Sequence, residues 1–201
     1  MDRINDNYAV WCEKASLYKA DLDSMSDEDK KEAFYKDLEF GTAGLRGILG
    51  AGTNRLNVYT IGKVTKGLAL YLLAHKKSGV TVAISYDSRN CSEEFARYAA
   101  AVLAECGIKA YITDKLQPTP YLSYMVRSLK CDAGIMITAS HNPAKFNGYK
   151  VYGADGCQVT DNAATEIFSF IEGVDTFSVR PADFDKAVAS GAIEFADVTR
   201  A

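Results

Sequence analysis

The sequence predicts an α/β protein: a three-layer α/β/α sandwich with a largely parallel, mixed sheet and a helical arm at the N-terminus. The main observation is that short apolar runs alternate with amphipathic segments of helical length, as in a sheet covered by helices. The second observation is the composition. Of the 201 residues, 48% are hydrophobic and 24% are charged, a normal balance for a globular chain with one sizeable core or two small ones.

The helical arm is expected over residues 1–38, and a single α/β domain over residues 39–201. Apolar residues recur at helical spacing near the start of the chain. Ser26 is the expected cap of a second helix, whose apolar face would include Phe34 and Leu38. The acidic turn after Ser26 suits the positive end of that helix's dipole, so we interpret it as a solvated first turn and not as a metal site.

A glycine-rich stretch separates the arm from the domain. It has five glycines between Phe40 and Gly52, which indicates a loop where the backbone approaches another group or needs a positive φ. Helices and strands alternate after it, with glycines at positions 107 and 173 as expected helix stops. The predicted elements are helices over 63–75, 92–106 (capped by Ser92), 119–130 (capped by Thr119, with Pro120 as first residue), 160–171 and 181–190, and strands over 80–85, 108–113, 133–138, 148–152 and 192–195.

Charge and cysteine content exclude several classes of function. The net charge of -3 gives no reason to expect nucleic-acid binding. The five cysteines are odd in number and widely spaced, which argues against a disulfide framework or a zinc site and favours reduced, mostly buried thiols. No apolar run is long enough to cross a bilayer, and the N-terminus does not resemble a signal peptide, so a cytoplasmic protein without a membrane partner is expected.

Two of the predicted strands end in unusual loops. The apolar run at 134–137 leads into Thr138–Pro143, and the run at 80–85 leads into Tyr86–Arg89. If both strands are parallel, both loops open on the same edge of the sheet, where ligands of open α/β sheets bind. A cationic edge with a hydroxyl suits phosphoryl transfer, which depends on positioning and charge neutralisation. The side chains expected at this edge are Arg89, Ser140, His141, Lys145 and Lys150.

Other interpretations of Thr138–Pro143 remain open at this point. The chain has no GxxxxGK[ST] motif, no GxGxxG between a strand and a helix, and no GxSxG nucleophile elbow. His141 cannot act as a simple triad base for Ser140, because adjacent side chains on an extended backbone point to opposite sides. Ser, Asn and Pro are also ordinary turn residues. It is the combination of loops that favours a reaction centre over a bend.

Taken together, these loops resemble the first domain of the α-D-phosphohexomutase family, the phosphoglucomutases and phosphomannomutases. Phe40–Gly47 resembles the family's N-terminal active-site loop, and Tyr86–Arg89 its second loop. Thr138–Pro143, followed by Asn147–Lys150, resembles the phosphoserine loop and the strand after it, and is the most specific match. The resemblance covers roughly residues 38–190 and is closest to the long subgroup that includes phosphoglucomutases and phosphopentomutases.

The resemblance implies a mechanism and a role for particular residues. Ser140 would carry a phosphoryl group, give it to a sugar monophosphate, and take the other phosphate back from the bisphosphorylated sugar. The result is a 1-phosphate to 6-phosphate isomerisation, with glucose as the favoured sugar. A phosphoserine oxygen would also ligate Mg²⁺. The remaining implied roles are proton transfer by Lys150 (which requires an amine that can lose its proton), phosphate neutralisation by Arg46, orientation of substrate and phosphate by His141, Asn142 and Thr138, and support of the loop by Arg89.

The resemblance also predicts what the chain lacks. Phe146 replaces a common Tyr and Ser85 a common Gly, and neither change touches the implied chemistry. The family's DGDxDR-type magnesium loop and its later sugar- and phosphate-binding loops have no counterpart here. We therefore expect a fragment that folds but is inactive alone as a mutase, with phosphosugar and the remaining domains as partners. The alternatives are a phosphopentomutase, a sugar-bisphosphate synthase, a non-catalytic phosphate-binding module, or a structural domain in which the loop is only a turn.

Overall fold

A computed structural model describes residues 3–41 and 44–196. Within these residues a six-stranded sheet has the order β1-β5-β4-β2-β3-β6. Its middle and one side are parallel (β4, β2, β3 and β6), whereas β5 runs antiparallel to both β4 and β1. The sheet is thus mixed and largely parallel, as predicted. The strands are β1 (Gly44–Ile48), β2 (Thr81–Tyr86), β3 (Lys109–Ile112), β4 (Ala133–Ile137), β5 (Phe146–Gly153) and β6 (Ile193–Phe195).

Helices cover both faces of the sheet, which confirms the predicted three-layer sandwich. The larger core packs α4, α5 and α7 against one face, and a smaller core packs α6 against the other. The N-terminal helices form a third apolar cluster around Trp11 and Phe34, where Trp11 also contacts the rings of Tyr59 and Phe177. The helices are α1 (Arg3–Lys14), α2 (Lys19–Asp23), α3 (Asp27–Phe34), α4 (Val58–His75), α5 (Ser92–Glu105), α6 (Thr119–Ser128), α7 (Asp161–Glu172) and α8 (Phe184–Ala189), with a 3-10 turn at Ser16–Tyr18.

Several element boundaries differ from the prediction for identifiable reasons. Helix α4 begins five residues early, because Asn57 and Thr60 form a capping box in which each side chain accepts from the other's backbone N–H at 3.0 Å. Helix α8 begins at Phe184, where the Asp183 side chain caps it, and not at residue 181. The expected cap of α3 by Ser26 is confirmed, but α3 ends at Phe34 and Leu38 lies beyond it.

Two predicted helix caps are wrong. Ser92 is the first residue of α5, and Cys91, at a φ of 63°, occupies the cap position without a side-chain bond. The Ser92 hydroxyl instead donates to Asp87 and accepts from Asn147, which connects two loops near the end of the sheet. Thr119 likewise lies inside the first turn of α6, after Pro118. A capping residue type thus predicts a helix start within about two residues.

The cysteines and the helices bear on two further expectations. All five cysteines are free thiols, but only Cys131 is buried, so the expectation of mostly buried thiols is wrong. Burial raises the pKa of the Cys131 thiol to about 11, which keeps it protonated at neutral pH. Within the described residues, no helix has the length and apolar character needed to cross a membrane.

Candidate active site

The loop after β4 gives Ser140 an unusual backbone. Ser140 is exposed and has a φ of 56°, in the left-handed region that few residues other than glycine adopt. Its N–H donates to the Thr138 hydroxyl at 2.9 Å, and the Asn142 N–H donates to the Ala139 carbonyl at 3.2 Å. A serine in this conformation is strained, and such strain persists only where surrounding contacts hold it in place.

Arg89 provides most of those contacts. Its guanidinium group, from the loop after β2, donates to the backbone carbonyls of the loop after β4 and so holds both ends of that loop. This uses the fixed fork of the arginine side chain, which a lysine amine could not reproduce. The four carbonyl oxygens that accept these bonds belong to Ser140 (2.6 Å), Asn142 (2.6 Å), Phe146 (3.1 Å) and Pro143 (3.2 Å).

Asp87, like Arg89, connects the loop after β2 with the loop after β4. One of its carboxylate oxygens accepts from the Ser92 hydroxyl at 2.9 Å and from the Arg89 N–H at 3.0 Å. The other accepts from the Thr138 hydroxyl. Because a carboxylate can only accept, the single Thr138 hydroxyl proton points to Asp87, and a Thr138 lone pair stays free for the Ser140 N–H. Asp87 therefore fixes the direction of the hydrogen bonds that end at the serine.

Lys150 brings a cation to the serine. Its Nζ donates to the Ser140 hydroxyl oxygen at 2.9 Å. In β5, Lys150 and Tyr149 point to opposite faces of the sheet. Tyr149 is buried beside Thr65, and this burial raises the pKa of its hydroxyl, which therefore stays neutral. The Lys150 side chain lies on the opposite face from Tyr149. Its pairing partner in the neighbouring strand β1 is Gly44.

Arg46 shares that face. It pairs with Gly148 in the β1–β5 ladder, two residues from the Gly44–Lys150 pair, so the Arg46 and Lys150 side chains lie on one side of the sheet.

Gly148 is tightly enclosed, because an added Cβ would lie 2.6 Å from the Thr138 carbonyl oxygen and 2.8 Å from that of Leu45. A glycine is thus needed here for the three strands to approach each other at the site.

An open cavity of about 610 Å³, which we call the cationic cleft, lies along this face. Four of its lining residues are cations and one is an acid, so the lining has an excess of positive charge suited to a phosphorylated ligand. The charged lining residues are Lys36, Glu39, Arg46, Arg55 and Lys150.

The remaining predicted residues on the loop differ in how firmly they are held. His141 is exposed and makes no side-chain hydrogen bond within the described residues; the Ser140 hydroxyl is bonded to Lys150 instead. Asn142 is half-buried and is held through its backbone, and Thr138 is buried in the network around Asp87. The structure thus brings Thr138, Ser140, Lys150 and Arg89 into one hydrogen-bonded cluster, with Arg46 on the adjoining strand.

Sequence reasoning missed three residues of the site. Asp87 entered the sequence analysis only as part of the Tyr86–Arg89 loop, yet it is the acceptor that joins both loops. Asn147 is buried and donates to the Asn90 carbonyl and to the Ser92 hydroxyl. From the sequence it was named only as the start of Asn147–Lys150, and no such contact was predicted. Arg55 gave no signal, because "TNRLN" has the composition of an ordinary turn.

The chain's own fit to a magnesium ion is partial. No group of three or more His, Cys, Asp or Glu side chains that could hold a metal occurs within residues 3–41 and 44–196. The nearby carboxylate, Asp87, already accepts from Thr138, Ser92 and Arg89. A Mg²⁺ ion prefers several oxygen ligands, so only a phosphate carried by Ser140 fits as a ligand here, and the others would have to come from elsewhere.

Comparisons with known proteins identify the family of this chain. Residues 37–177 match the family described as phosphoglucomutase/phosphomannomutase, alpha/beta/alpha domain I. A phosphoglucomutase of Staphylococcus aureus (strain USA300) is 48% identical over 167 residues, which are 82% of this chain and 30% of that protein. One of Staphylococcus epidermidis is 45% identical over 157 residues, 78% of this chain and 29% of that protein.

A solved structure supports the same conclusion. The crystal structure of a phosphomannomutase-like protein from Thermus thermophilus superimposes with a TM-score of 0.64 at 29% identity, over 80% of this chain and 32% of that one. The chain thus spans about 30% of the length of the relatives it matches. Because the family match covers more than half of the chain, this protein belongs to the phosphoglucomutase/phosphomannomutase family and contains its α/β/α domain I.

Proposed function

We propose that this chain is the phosphoserine-bearing domain of a larger phosphosugar mutase, one that interconverts sugar 1-phosphates and 6-phosphates, with glucose as the favoured sugar. The observation that carries the proposal is the 2.9 Å hydrogen bond from Lys150 Nζ to Ser140 Oγ, on a loop that Arg89 holds in a strained conformation. The family membership and the phosphoglucomutase relatives support it. The remaining domains, by this proposal, supply the sugar contacts.

The proposed reaction moves a phosphoryl group between Ser140 and the sugar. In the first transfer the bond between phosphorus and Ser140 Oγ breaks, and a bond forms between phosphorus and a sugar hydroxyl oxygen. The hydroxyl proton must leave the sugar, and Ser140 Oγ must gain one. Lys150 is within hydrogen-bonding reach of Oγ, so it can give the serine a proton and take the sugar's in return. The second transfer, from the other phosphate back to Ser140, reverses these steps.

The other loop residues position the groups and balance charge. Phosphoserine carries about -1.5 to -2 charges at neutral pH, and Arg46 and Lys150 lie on the face where this charge would develop. His141 and Asn142 are accessible enough to orient substrate and phosphate, and Thr138 fixes the Ser140 backbone. A Mg²⁺ ion ligated by the phosphoserine would supply further charge neutralisation when bound.

The proposal is tested on the whole polypeptide that carries this sequence in its own cells. We expect its peptide map to show one phosphoryl group on Ser140. We also expect glucose 1-phosphate to be converted to glucose 6-phosphate with Mg²⁺ and a catalytic amount of glucose 1,6-bisphosphate. Ser140→Ala should abolish both, while the 201-residue chain alone should fold but show no turnover. Full activity in Ser140→Ala would refute the phosphoserine mechanism. An unmodified Ser140 in a native polypeptide without turnover would leave a non-catalytic phosphate-binding module.

Asp87→Asn should slow phosphoryl transfer by about tenfold or more, because the amide cannot accept from all its present donors and the Thr138 hydroxyl loses its fixed direction. We expect kcat to fall with KM nearly unchanged, since Asp87 holds the serine and not the sugar. The Ser140 amide resonance should move in the nuclear magnetic resonance (NMR) spectrum.

Asp132→Asn is the matched control for Asp87→Asn. Asp132 has nearly the same side-chain exposure, 25% against 23% for Asp87, and accepts from the Thr81 N–H and Lys76 Nζ at the other end of the sheet. It should lower stability without changing kcat. Equal losses of kcat in the two variants would reduce the role of Asp87 to general stability.

A further inference from the structure

Arg55 has a nearly buried charge with few partners. Its side chain is 12% exposed, and its ion-pair partner is the Glu32 carboxylate at 3.6 Å, which is 66% exposed. Within residues 3–41 and 44–196 the guanidinium group makes no hydrogen bond, although it has five N–H donors. A buried charge needs compensation, and one distant, solvated carboxylate compensates little. Its position in the lining of the cationic cleft gives these donors access to a ligand.

The Arg55 backbone is held rigidly at the start of α4. Its carbonyl oxygen accepts from the Asn57 amide at 3.2 Å and from the Thr60 hydroxyl at 3.1 Å, the two residues of the capping box. The next residue, Leu56, donates its N–H to the Ile48 carbonyl at 2.8 Å, which attaches the turn to the end of β1. The Arg55 backbone is therefore held in place without a ligand, which lowers the ordering cost of binding.

The hydrogen bond from Leu56 to Ile48 also places Arg55 relative to the face that carries Arg46 and Lys150. Ile48 pairs with Phe146, at the end of β1 nearest the serine loop, and Gly44 pairs with Lys150 at the other end. Ile48 is four residue steps along the strand from Gly44, a length of ~13 Å, and Arg46 lies midway. The cationic cleft thus has positive groups at both ends and in its middle, with Arg55 at the end that Phe146 occupies.

We propose that Arg55 is a phosphate-binding residue, which with Arg46 holds a dianionic phosphate in the cationic cleft. The proposal rests on the proposed function of this site, and it adds a residue that neither the loop motifs nor the serine–lysine pair includes. Binding exchanges Glu32, a weak and exposed partner, for phosphate oxygens that accept from the guanidinium fork, which suits phosphate geometry. The phosphate is either that of phosphoserine or that of the substrate, since both present the same dianion.

The test uses the 201-residue chain and inorganic phosphate as the probe. Phosphate is titrated while NMR follows the arginine Nε–H signals. We expect the Arg55 signal to move, and Arg55→Gln to weaken phosphate binding about tenfold, as for loss of a charged hydrogen bond. Glu32→Gln should tighten binding, because it removes the competing carboxylate. Arg127→Gln, which removes an exposed cation on α6, is the control and should change nothing.

A purely structural Arg55–Glu32 ion pair gives a different result. Arg55→Gln and Glu32→Gln would then lower stability to similar degrees and leave phosphate affinity unchanged, which would overturn the proposal. So would an Arg55 signal that phosphate does not move. If Arg55 binds phosphate but Ser140 is never phosphorylated in the native polypeptide, the phosphate site stands and the mutase proposal fails. The two conclusions are thus tested separately.

Two further samples distinguish the source of the phosphate. If Arg55 binds the phosphoserine, phosphorylating Ser140 should move the Arg55 signal without added phosphate and should weaken binding of the probe. If Arg55 binds the substrate's phosphate, its signal should stay in place on phosphorylation, and Ser140→Ala should bind the probe as tightly as the unmodified chain. An Arg55 signal that responds to neither phosphoserine nor inorganic phosphate contradicts both.

Discussion

Replacing Gly44 with Ala is expected to destabilise the chain by roughly 2–4 kcal/mol, from steric overlap and from a backbone conformation that alanine disfavours. An added Cβ would lie 1.9 Å from the Tyr149 carbonyl oxygen and 2.9 Å from the Lys150 Cα, both of them backbone atoms that cannot move aside separately. The φ of Gly44 is also +148°. Denaturant unfolding of the 201-residue chain, followed by circular dichroism, measures the loss.

Gly50→Ala separates the two causes. Gly50 has a similar φ of +139°, but an added Cβ would meet nothing within 4 Å. This variant should lose only about 1–2 kcal/mol, the cost of the backbone conformation alone. Gly44→Ala should also weaken phosphate binding, because β1 carries Arg46 and would have to move away from β5. If both variants lose equal stability, the predicted contact with the Tyr149 carbonyl is not what makes glycine necessary.

Lys150→Met is expected to lower kcat of the native polypeptide by about 10²–10⁴-fold, the range typical for loss of a general acid–base group. Methionine keeps much of the volume of the lysine side chain but removes the group that donates to Ser140 Oγ. The Ser140 oxygen then loses the amine that donates to it when the phosphoryl group leaves. Steady-state kinetics with glucose 1-phosphate give kcat, and quenched samples show how much Ser140 remains phosphorylated.

Lys145→Met is the matched control for Lys150→Met. Lys145 lies exposed on the same loop, with its amine 5.7 Å from the centre of the Phe146 ring, and its side chain does not bond to the serine. This variant removes one positive charge close to the site and should change kcat by less than about threefold, as expected for an exposed charge in water. A similar loss in both variants would mean that net charge, and not proton transfer, explains the effect of Lys150.

The sequence predicted the layers and the loops well, because both depend on local patterns. The apolar run at β4 and the polar residues after it indicated where a strand ends and where polar side chains collect. Long-range partners leave no such pattern. Ser92 has the composition of a helix cap but bonds to Asp87 and Asn147, and nothing near Asp87 in sequence shows that it accepts from Thr138, 51 residues away. Arg55 reaches the cleft only because Leu56 attaches to Ile48.

The pairing of β4 with β5 determines how far Ser140 lies from Lys150. These antiparallel neighbours form a hairpin, in which Ile137 lies opposite Tyr149 and only ten residues separate Ser140 from Lys150. The distance between the Ser140 hydroxyl and the Lys150 amine is therefore set by the local register of the two strands. A slip of one residue would turn Lys150 to the opposite face and bring the neutral Tyr149 to the serine. The hairpin therefore sets the spacing between Ser140 and Lys150 by its own strand pairing. This spacing does not depend on any later part of the polypeptide.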